Sequence, residues 1–434
     1  MTGNSDTTDV YWVAGVRTPF LRSGSEFADL TSYDLAREAI AGLISRVGLD
    51  VAEVDYTIMG SVVSNIATSN VARDAALAAG IPESTPAHTV SQACISANRA
   101  IASGADMIRS GQADCVLAGG TESLSDIPIR YRKRLRKKMV AAQRYRKMLD
   151  YLGFLKGLRL SDLLPEIPAI AEFSTGLAMG ADCERLAGRY GVTRQEQDEY
   201  AVRSHQLAAQ AWEKGQLKPE VCPLQVPPSF RTIQEDNGIR SDTSVSQLAK
   251  LRPAFLKQYG NVTAGNSSFL SDGAAVTLIA SGAACRRLGI QPEIAIRDWV
   301  FTAQSPLDSL LLGPAVAVPK LLDRNRLAVN QIQVFEFHEA FAGQVVANLK
   351  CLASQTFNQE QLGREQAVGV VPMERLNLWG GSLSLGHPFG ATGARLLTTA
   401  CHRMLEEQGR WGLIASCAAG GLGNAILLER IAAR

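Results

Sequence analysis

The order of hydrophobic and polar residues along the chain predicts strands and helices that alternate. Short apolar runs at 10–16 and 56–60 are typical of buried strands, and residues 33–47 repeat their apolar positions with the period of a helix. After residue 94 the apolar positions again follow helical spacing, and a strand predicted over 114–118 ends in a glycine pair. Strands that alternate with helices indicate a layered α/β architecture.

The last portion of the chain repeats this order of elements. A glycine-rich turn around His387 leads into a helix predicted over 394–408, then a strand over 412–416 and a second glycine pair. The residues of the two portions match only weakly, but the elements follow each other in the same way. The sequence therefore predicts two similar βαβ halves that pack together, with the chemistry where their loops converge.

A region of different character lies between the two portions, at about 125–256. It begins with a strongly basic segment, 130–159, and later contains a helix predicted over 193–214 that starts with a capping box. The simplest interpretation is an inserted, mainly helical loop domain that covers one face of the two halves. The predicted boundaries are a first half over 1–124, a return to that half over 257–285 and a second half over 286–434.

Length and composition narrow the class of protein. A chain of 434 residues is too long for one ordinary core, so two or three lobes are expected. No apolar run is long enough to cross a bilayer, and the first residues lack the basic and apolar regions of a signal peptide, so we expect a cytoplasmic protein. No pair of the eight cysteines has C-x-x-C spacing and no cluster has zinc-ligand spacing, so the sequence predicts neither a disulfide scaffold nor a metal site.

Two residues lie at predicted turns where they could start a reaction. Cys94 opens a helix, where the helix dipole and free backbone N–H groups favour the thiolate, although a packed cysteine is the alternative interpretation. His387 lies in a glycine-rich turn that lets a ligand approach closely, and the ordinary pKa of histidine suits proton transfer near neutrality. A core histidine satisfied by backbone carbonyls is the alternative there.

Two further residues follow predicted strands. His338 and Glu339 lie where an apolar run ends and a helix begins, so His338 could donate a hydrogen bond to a developing oxyanion, or both residues could cap the helix. Cys417 precedes a tight glycine turn whose backbone N–H groups could line an oxyanion hole. A second cysteine is explained if one thiol carries an acyl group while the other moves a proton at the neighbouring carbon; ordinary packing is the alternative.

Taken together, the segments around Cys94, His338, His387 and Cys417 resemble the thiolase family. Three more segments, 17–20, 119–123 and 262–268, add to a resemblance that covers nearly the whole chain. The resemblance implies the layered α-β-α-β-α thiolase fold. Members of the family usually have asparagine where this chain has His338. Histidine there, together with the basic insertion, resembles the thiolase (beta) subunits of the trifunctional complexes of fatty-acid β-oxidation.

The resemblance implies an acyltransferase that cleaves 3-ketoacyl-CoA with CoA into acetyl-CoA and a chain-shortened acyl-CoA. Cys94 would be the nucleophile that attacks the keto carbon and carries the acyl group as a thioester. His387 would be the general base, and Cys417 would exchange a proton with the acetyl-CoA enolate. No metal or other cofactor is implied, since CoA is a substrate.

The resemblance also implies how the developing charges are stabilised. His338, with His387, would form one oxyanion hole, and the backbone N–H groups of Cys94 and Ala419 would form another. Ala419 replaces the glycine that is more usual in the family; its N–H is retained, but its methyl group could narrow the turn. Ser268 would contact the pantetheine arm of CoA.

Three other functions fit part of the pattern. A decarboxylating condensing enzyme uses one cysteine and two histidines, but it has no need of a thiol base such as Cys417. A biosynthetic acetoacetyl-CoA thiolase is disfavoured by His338 and by the long insertion. A non-catalytic acyl-CoA or lipid-binding protein is disfavoured because all four chemical residues are present.

The basic segment 130–159 indicates which kinds of partner the chain could bind. Residues 130–159 contain twelve basic residues and one acidic residue, whereas the whole chain has a net charge of +2. This charge fits a solvated face, attraction of CoA phosphates, or an anionic membrane surface, and no nucleic-acid motif accompanies it. The family resemblance implies peripheral membrane contact or partner docking, a homodimer or homotetramer, and a hetero-complex with a hydratase/3-hydroxyacyl-CoA dehydrogenase subunit.

Overall fold

Strands from both ends of the chain join in one ten-stranded sheet. The computed structural model describes residues 9–166 and 171–431. Residues 1–8, from which the sequence predicts no signal peptide, lie outside the described residues. In chain order the strands are β1 (Val10–Arg17), β2 (Leu21–Arg22), β3 (Tyr56–Gly60), β4 (Ala87–Val90), β5 (Cys115–Glu122), β6 (Arg130–Tyr131), β7 (Pro165–Glu166), β8 (Leu224–Val226), β9 (Arg231–Ile233), β10 (Ser271–Ser281), β11 (Ile294–Ala303), β12 (Val334–Phe337), β13 (Trp411–Ala418) and β14 (Leu422–Arg430).

Helices connect most of these strands. They are α1 (Ser32–Val47), α2 (Val71–Ala78), α3 (Ser96–Arg109), α4 (Lys133–Ala142), α5 (Met148–Leu155), α6 (Met179–Arg189), α7 (Arg194–Glu213), α8 (Val245–Leu248), α9 (Gly282–Arg287), α10 (Pro306–Ser309), α11 (Gly313–Asn325), α12 (Ala342–Ala353), α13 (Gln355–Leu362), α14 (Ser382–Leu385) and α15 (Thr392–Glu406). Short 3₁₀ turns cover Val51–Glu53, Leu160–Leu163, Lys218–Glu220, Val329–Gln331 and Met373–Arg375.

The order of the strands confirms the two similar halves. The sheet runs β12-β13-β14-β11-β1-β10-β5-β3-β4, with β2 beside β10. In the first half β3 is parallel to β5, which is antiparallel to β10, which is antiparallel to β1. In the second half β12, β13, β14 and β11 repeat this sequence of one parallel and two antiparallel pairings. The halves meet where Tyr11 and Trp12 of β1 pair with β11.

Alternation along the strands produces the predicted layers. Val116 of β5 and Ile414 of β13 point into one core that also contains α3 and α15, so these two helices form a central layer between the half-sheets. Their neighbours point the other way: Leu117 packs with α1 and α2, and Leu413 packs with α11 and α12. Successive side chains of a strand face opposite sides, so one apolar strand serves two cores. Each buried aliphatic side chain contributes roughly 1.5–3 kcal/mol to stability.

The elements predicted from the apolar pattern are present, with one difference at the end of β5. The strand does not end before the pair Gly119–Gly120 but continues to Glu122. A Cβ atom at Gly119 would lie 2.1 Å from the carbonyl oxygen of Ala275, and one at Gly120 would lie 1.9 Å from that of Gly390. The glycines therefore allow close approach of neighbouring backbones inside a strand, rather than a turn.

The predicted insertion, 125–256, contains two parts that differ in packing. Among the described residues, 127–166 form a small compact unit of their own, and 171–431 belong to the unit that contains the sheet. The helix predicted over 193–214 is α7, and Thr193 and Glu196 form the predicted capping box. The boundaries predicted at 124, 256 and 285 stay a prediction.

The small unit exposes apolar and basic side chains together. Its helices α4 and α5 bury Leu135, but α5 leaves several large side chains in solvent. Polar contacts hold the unit together, such as that between Lys138 Nζ and the carbonyl oxygen of Gly153 at 3.0 Å. The exposed large side chains of α5 are Met148, Leu149, Tyr151, Leu152 and Leu155. Among the helices of 9–166 and 171–431, none has the length and apolar composition required to cross a membrane.

Candidate active site

Cys94 lies on a tight turn directly before α3. The preceding residue, Ala93, has φ of +48°, in the left-handed region that residues other than glycine rarely adopt. The turn is closed by Ser96, whose hydroxyl accepts a hydrogen bond from the backbone N–H of Gln92 at 2.8 Å and donates one to the carbonyl of Ala93 at 2.7 Å. Backbone strain of this kind costs about 1–3 kcal/mol and is concentrated at functional sites.

The thiol of Cys94 is protonated in the free protein. Although the residue is partly exposed, the desolvation of its thiol raises the pKa to about 12. Hydrogen bonds from the backbone N–H groups of Ala419 and of Cys94 itself oppose this rise in pKa, and the nearby carboxylate of Glu122 adds to it. Burial therefore outweighs the effect expected from the helix N-terminus. Attack by this thiol requires a base.

His387 lies beside Cys94 with one ring nitrogen free. Its Nδ1 is 2.7 Å from the hydroxyl of Thr392, and that hydroxyl donates to the carbonyl of Pro388 at 3.0 Å. Because the hydroxyl proton is used there, Nδ1 of His387 carries the imidazole proton and donates it to Thr392. Nε2 then has a lone pair and no hydrogen-bond partner among the described residues. Burial, with the charge of Arg395, lowers the pKa of His387 to about 3, so the ring is neutral.

His338 faces His387 at the end of β12. Its backbone N–H donates to the carbonyl of Ala415 at 2.8 Å, which fixes the residue to the neighbouring strand β13. The two imidazole rings have centroids 4.1 Å apart and are tilted by 45°. Burial, the neighbouring His387 and the charge of Arg395 hold the pKa of His338 well below its usual range. Both histidines are therefore neutral near pH 7.

The cap interpretation of His338 and Glu339 is wrong. No side-chain hydrogen bond caps α12, which begins at Ala342. Instead, the buried carboxylate of Glu339 accepts hydrogen bonds from the hydroxyls of Tyr200 and Ser204 and from the side-chain amide of Asn377, at 3.0, 2.8 and 2.7 Å. Glu339 thereby fixes the loop after β12 to α7 and to the segment before α14.

Cys417 is the last but one residue of β13 and is buried. Burial raises the pKa of its thiol well above the usual range, and a thiolate here would also lie close to the sulfurs of Cys94 and Cys183. The chain then turns through Gly420 and Gly421, which both have positive φ, 82° and 68°. The backbone N–H of Ala419, directly before this turn, donates a hydrogen bond to the Cys94 sulfur.

Ser268 lies near this group but on a different segment. It is partly buried, and its backbone N–H donates to the carbonyl of Ala340 at 2.9 Å, which joins it to the loop that carries His338. The structure therefore brings Cys94, His338 and His387 together, places Cys417 and Ala419 beside Cys94, and places Ser268 at the edge of the His338 loop. The roles of all six residues stay predictions.

One ligand set in this site could attract a metal ion. The Cys94 sulfur and one ring nitrogen from each histidine all lie within 4.8 Å of one another. Zinc takes such sulfur and nitrogen ligands, but each ligand must supply a lone pair. His387 offers one at Nε2. The absence of a metal stays a prediction from the sequence.

Glu122 is a structural residue of the site that sequence reasoning passed over. It lies at the end of β5 and accepts hydrogen bonds from the backbone N–H groups of Val62, Val63 and Gly390, at 3.1, 2.9 and 2.9 Å. Desolvation raises its pKa to about 7 despite these bonds. Glu122 thus joins the loop after β3 to the turn that carries His387. Its signal in the sequence was its place after the glycine pair, within the segment 119–123 that adds to the family resemblance.

The parts of this chain that match known proteins include every residue of the candidate site. Residues 10–283 match the model of the thiolase N-terminal domain, and residues 290–430 match that of the thiolase C-terminal domain. The mitochondrial trifunctional enzyme subunit beta of Bos taurus is 50% identical over 417 residues, which are 96% of this chain and 87% of that protein. The 3-ketoacyl-CoA thiolase of Yersinia pestis is 43% identical, over 96% of each chain.

Solved structures agree with these sequence comparisons. The human mitochondrial 3-ketoacyl-CoA thiolase superposes with a TM-score of 0.83 at 30% identity, covering 98% of this chain and all of the other. The acetyl-CoA acetyltransferase of Bacillus anthracis gives 0.82 at 30% identity, covering 98% and 99%. The fold is therefore shared over the full length of both structures.

Proposed function

This chain belongs to the thiolase family and is an acyltransferase, and we propose that it cleaves 3-ketoacyl-CoA with CoA in fatty-acid β-oxidation. The observation that carries the proposal is the convergence of the Cys94 thiol with two neutral imidazoles within 4.8 Å. The products are acetyl-CoA and a chain-shortened acyl-CoA. The relatives named 3-ketoacyl-CoA thiolase support this choice of substrate.

The first step is attack by Cys94 on the keto carbon. Its thiol, with a pKa of about 12, does not ionise alone, so His387 accepts the proton at Nε2 as the carbon–sulfur bond forms. The backbone N–H groups of Cys94 and Ala419 stabilise the negative charge on the former keto oxygen. Preorganised donors of this kind are often the largest single contribution to catalysis.

The second step breaks the carbon–carbon bond and releases the enolate of acetyl-CoA. The enolate oxygen lies with His338 and the now protonated His387, and Cys417 gives its proton to the enolate carbon. Burial favours the protonated form of the Cys417 thiol, which suits it to this donation. The proton on His387 then restores the thiol of Cys417, so the site is ready for CoA.

The third step transfers the acyl group to CoA. His387 accepts the thiol proton of CoA, the sulfur attacks the acyl-Cys94 thioester, and the same proton returns to the Cys94 sulfur as it leaves. Each proton is therefore accounted for by the thiols of Cys94, Cys417 and CoA and by the imidazole of His387. No metal or redox cofactor takes part in this scheme, in which CoA is a substrate.

Two arginines near the site support an anionic substrate. The guanidinium of Arg22 lies 4.0 Å from the ring centroid of Phe269, which follows Ser268. Burial and the charge of Arg240 both lower the pKa of Arg22, so two cations lie close together. Neither side chain forms an ion pair within 9–166 and 171–431. Adjacent cations without a counter-ion suit the phosphates of CoA.

The proposed reaction is tested by CoA-dependent cleavage of a four-carbon and a sixteen-carbon 3-ketoacyl-CoA. We expect the sixteen-carbon substrate to be cleaved with the higher kcat/KM, and acetyl-CoA to appear in step with the loss of substrate. Cleavage of the four-carbon substrate alone would move the protein to the acetoacetyl-CoA thiolases. Cleavage of neither, with a hydratase/dehydrogenase partner subunit present, would contradict the proposal.

The proposed assembly is a homodimer or homotetramer that joins a hydratase/3-hydroxyacyl-CoA dehydrogenase subunit. Its support is that the mammalian relatives are named as subunits of a trifunctional enzyme. Those relatives are also named mitochondrial. For this chain a cytoplasmic location stays a prediction.

We also propose that the small unit contacts an anionic membrane surface, since α5 exposes apolar side chains within a basic segment. Reversing three exposed charges, Lys133→Glu, Lys137→Glu and Arg144→Glu, should weaken binding to vesicles containing anionic phospholipid at least ~100-fold. This estimate takes about 1 kcal/mol per basic residue near the surface. Turnover of the four-carbon substrate should be unchanged.

Vesicle sedimentation measures this effect, with three charge reversals in the larger unit as the matched control: Lys250→Glu, Lys257→Glu and Lys320→Glu. Both triple variants have the same net charge, so only the location differs. An equal loss of vesicle binding in the two triple variants would indicate an effect of net charge alone. Unchanged binding after reversal in the small unit would refute the membrane proposal.

A further inference from the structure

We infer that Ser382 and Arg395 are positioning residues that hold His338 as the tautomer with its proton on Nε2. The inference rests on the proposed function, because it assigns His338 the donor state that an oxyanion hole needs. Neither residue touches the reacting atoms in this scheme. They act through the imidazole of His338.

The hydrogen bonds determine the direction of each donor. Nη2 of Arg395 donates to the hydroxyl oxygen of Ser382 at 2.9 Å, and a guanidinium has no acceptor, so this bond has one direction only. The Ser382 hydroxyl therefore keeps its own proton for another partner. Its one other hydrogen-bond partner among the described residues is Nδ1 of His338, at 3.2 Å, so the hydroxyl proton is donated to this nitrogen. Nδ1 is then an acceptor without a proton, and the neutral ring carries its proton on Nε2.

The neighbouring imidazole is held in the opposite state. At His387 the Thr392 hydroxyl uses its proton on the Pro388 carbonyl, so Nδ1 of His387 is the donor and Nε2 is the acceptor. The free nitrogens of the two rings are both buried and have no partner among the described residues. One presents a lone pair and the other a proton. The hydroxyls of Ser382 and Thr392 thus hold the two histidines as opposite tautomers, because the first accepts from Arg395 and the second donates to the Pro388 carbonyl.

Arg395 also sets the charge of the site. It is completely buried, and its Nε and Nη1 have no hydrogen-bond partner among the described residues. The nearest carboxylate, Glu336, is 3.8 Å from Nη1 and forms its short contact with Arg403 instead, at 2.8 Å. A buried cation so weakly paired is costly for stability. Burial is the larger cause of the lowered pKa of both histidines, and the charge of Arg395 lowers each pKa further, so both rings stay neutral.

The test reads the tautomer directly. In the full-length protein with ¹⁵N-labelled histidine, the imidazole ¹⁵N shifts of His338 should show the proton on Nε2; His338→Ala identifies these signals among the five histidines. Ser382→Ala should shift the ring towards a mixture of the two tautomers. It should also lower kcat about 10- to 100-fold with KM unchanged, by analogy with the loss of a residue that orients a metal-ligating histidine.

Ser384→Ala is the matched control. Ser384 is buried in the same short helix, but its hydroxyl bonds to the Gly381 carbonyl and has no contact with the imidazole of His338. Its loss should leave the tautomer of His338 unchanged. Arg395→Met should reproduce the effect of Ser382→Ala, while Arg395→Lys retains the charge and should restore part of the kcat. If the Arg395 variants do not fold, Ser382→Ala still decides the question.

A double-mutant cycle separates positioning from general damage. If Ser382 acts through His338, then Ser382→Ala in the His338→Ala background should lower kcat by less than twofold. A full loss in that background, or a parent protein with the His338 proton on Nδ1, would overturn the inference. Lack of thiolase activity in the parent protein would contradict the proposed function instead, since the tautomer is read without turnover.

Discussion

Replacement of Cys94 by alanine should abolish CoA-dependent cleavage of both the four-carbon and the sixteen-carbon 3-ketoacyl-CoA. Without the sulfur no acyl-cysteine forms, and the proposed scheme uses the two imidazoles only for proton transfer and for binding the oxyanion. We expect kcat to fall by at least ~10⁴-fold, as when the nucleophile of an acyl-transfer enzyme is removed. The measurement is thiolysis of both substrates, run in parallel with mass spectrometry of the protein after incubation with acyl-CoA.

The control for Cys94→Ala is Cys401→Ala. Cys401 is a buried cysteine in the central helix α15, so its truncation reports the cost of losing any core thiol. This control should retain turnover and the acyl adduct. Turnover within tenfold of wild type in Cys94→Ala would exclude the nucleophile assignment. If the wild type lacks turnover and Cys94→Ala binds acyl-CoA with the same affinity as the wild type, the result would favour a binding protein.

Replacement of Cys417 by alanine should separate the two halves of the reaction. Carbon–carbon cleavage should fall about 10²- to 10⁴-fold, the range for loss of a general acid or base. Exchange of labelled CoA into an acyl-CoA should be retained, because that exchange uses only Cys94 and His387. The two rates are measured on the same preparation, which removes differences in folding from the comparison.

Cys183→Ala is the matched control for this second variant. Cys183 is buried in the same hydrophobic cluster as Cys417, but it has no role in the proposed chemistry. Neither rate should change in it. If Cys417→Ala lowers cleavage and exchange equally, Cys417 acts through packing rather than proton transfer. If it lowers neither, another group protonates the enolate.

The apolar pattern was sufficient to predict a layered α/β architecture, because strands and helices carry different periodic signals, whereas the α-β-α-β-α order of the layers came from the family resemblance. The sequence also allowed Cys94, His338, His387 and Cys417 to be selected as candidates, since each lies in a short segment typical of the family. It did not allow contacts between distant polar side chains to be predicted. Ser382 and Arg395 lie 44 and 57 positions after His338, and only the packing of α14 and α15 against β12 brings them to its ring.

The protonation state of the Cys94 sulfur also could not be predicted from the sequence. The sequence indicates a helix N-terminus, which favours a thiolate, but the amount of protein around the sulfur depends on the folded structure. Similarly, Glu339 has the position of a helix-capping residue in the sequence, and only the fold places Tyr200, Ser204 and Asn377 around its carboxylate. Local propensity was therefore a poor guide wherever tertiary burial determined the outcome.

The repeated order of strands has a consequence for how activity can be lost. Cys94 lies directly before α3, and His387 lies just before α15, the equivalent helix of the other half. The proposed nucleophile and the proposed base thus belong to different halves, and neither half holds both residues by itself. Turnover therefore reports the alignment of α3 with α15. A substitution in the central layer that displaces these helices by about an ångström would cause a large loss of turnover. The circular dichroism spectrum of that variant would still indicate a folded protein.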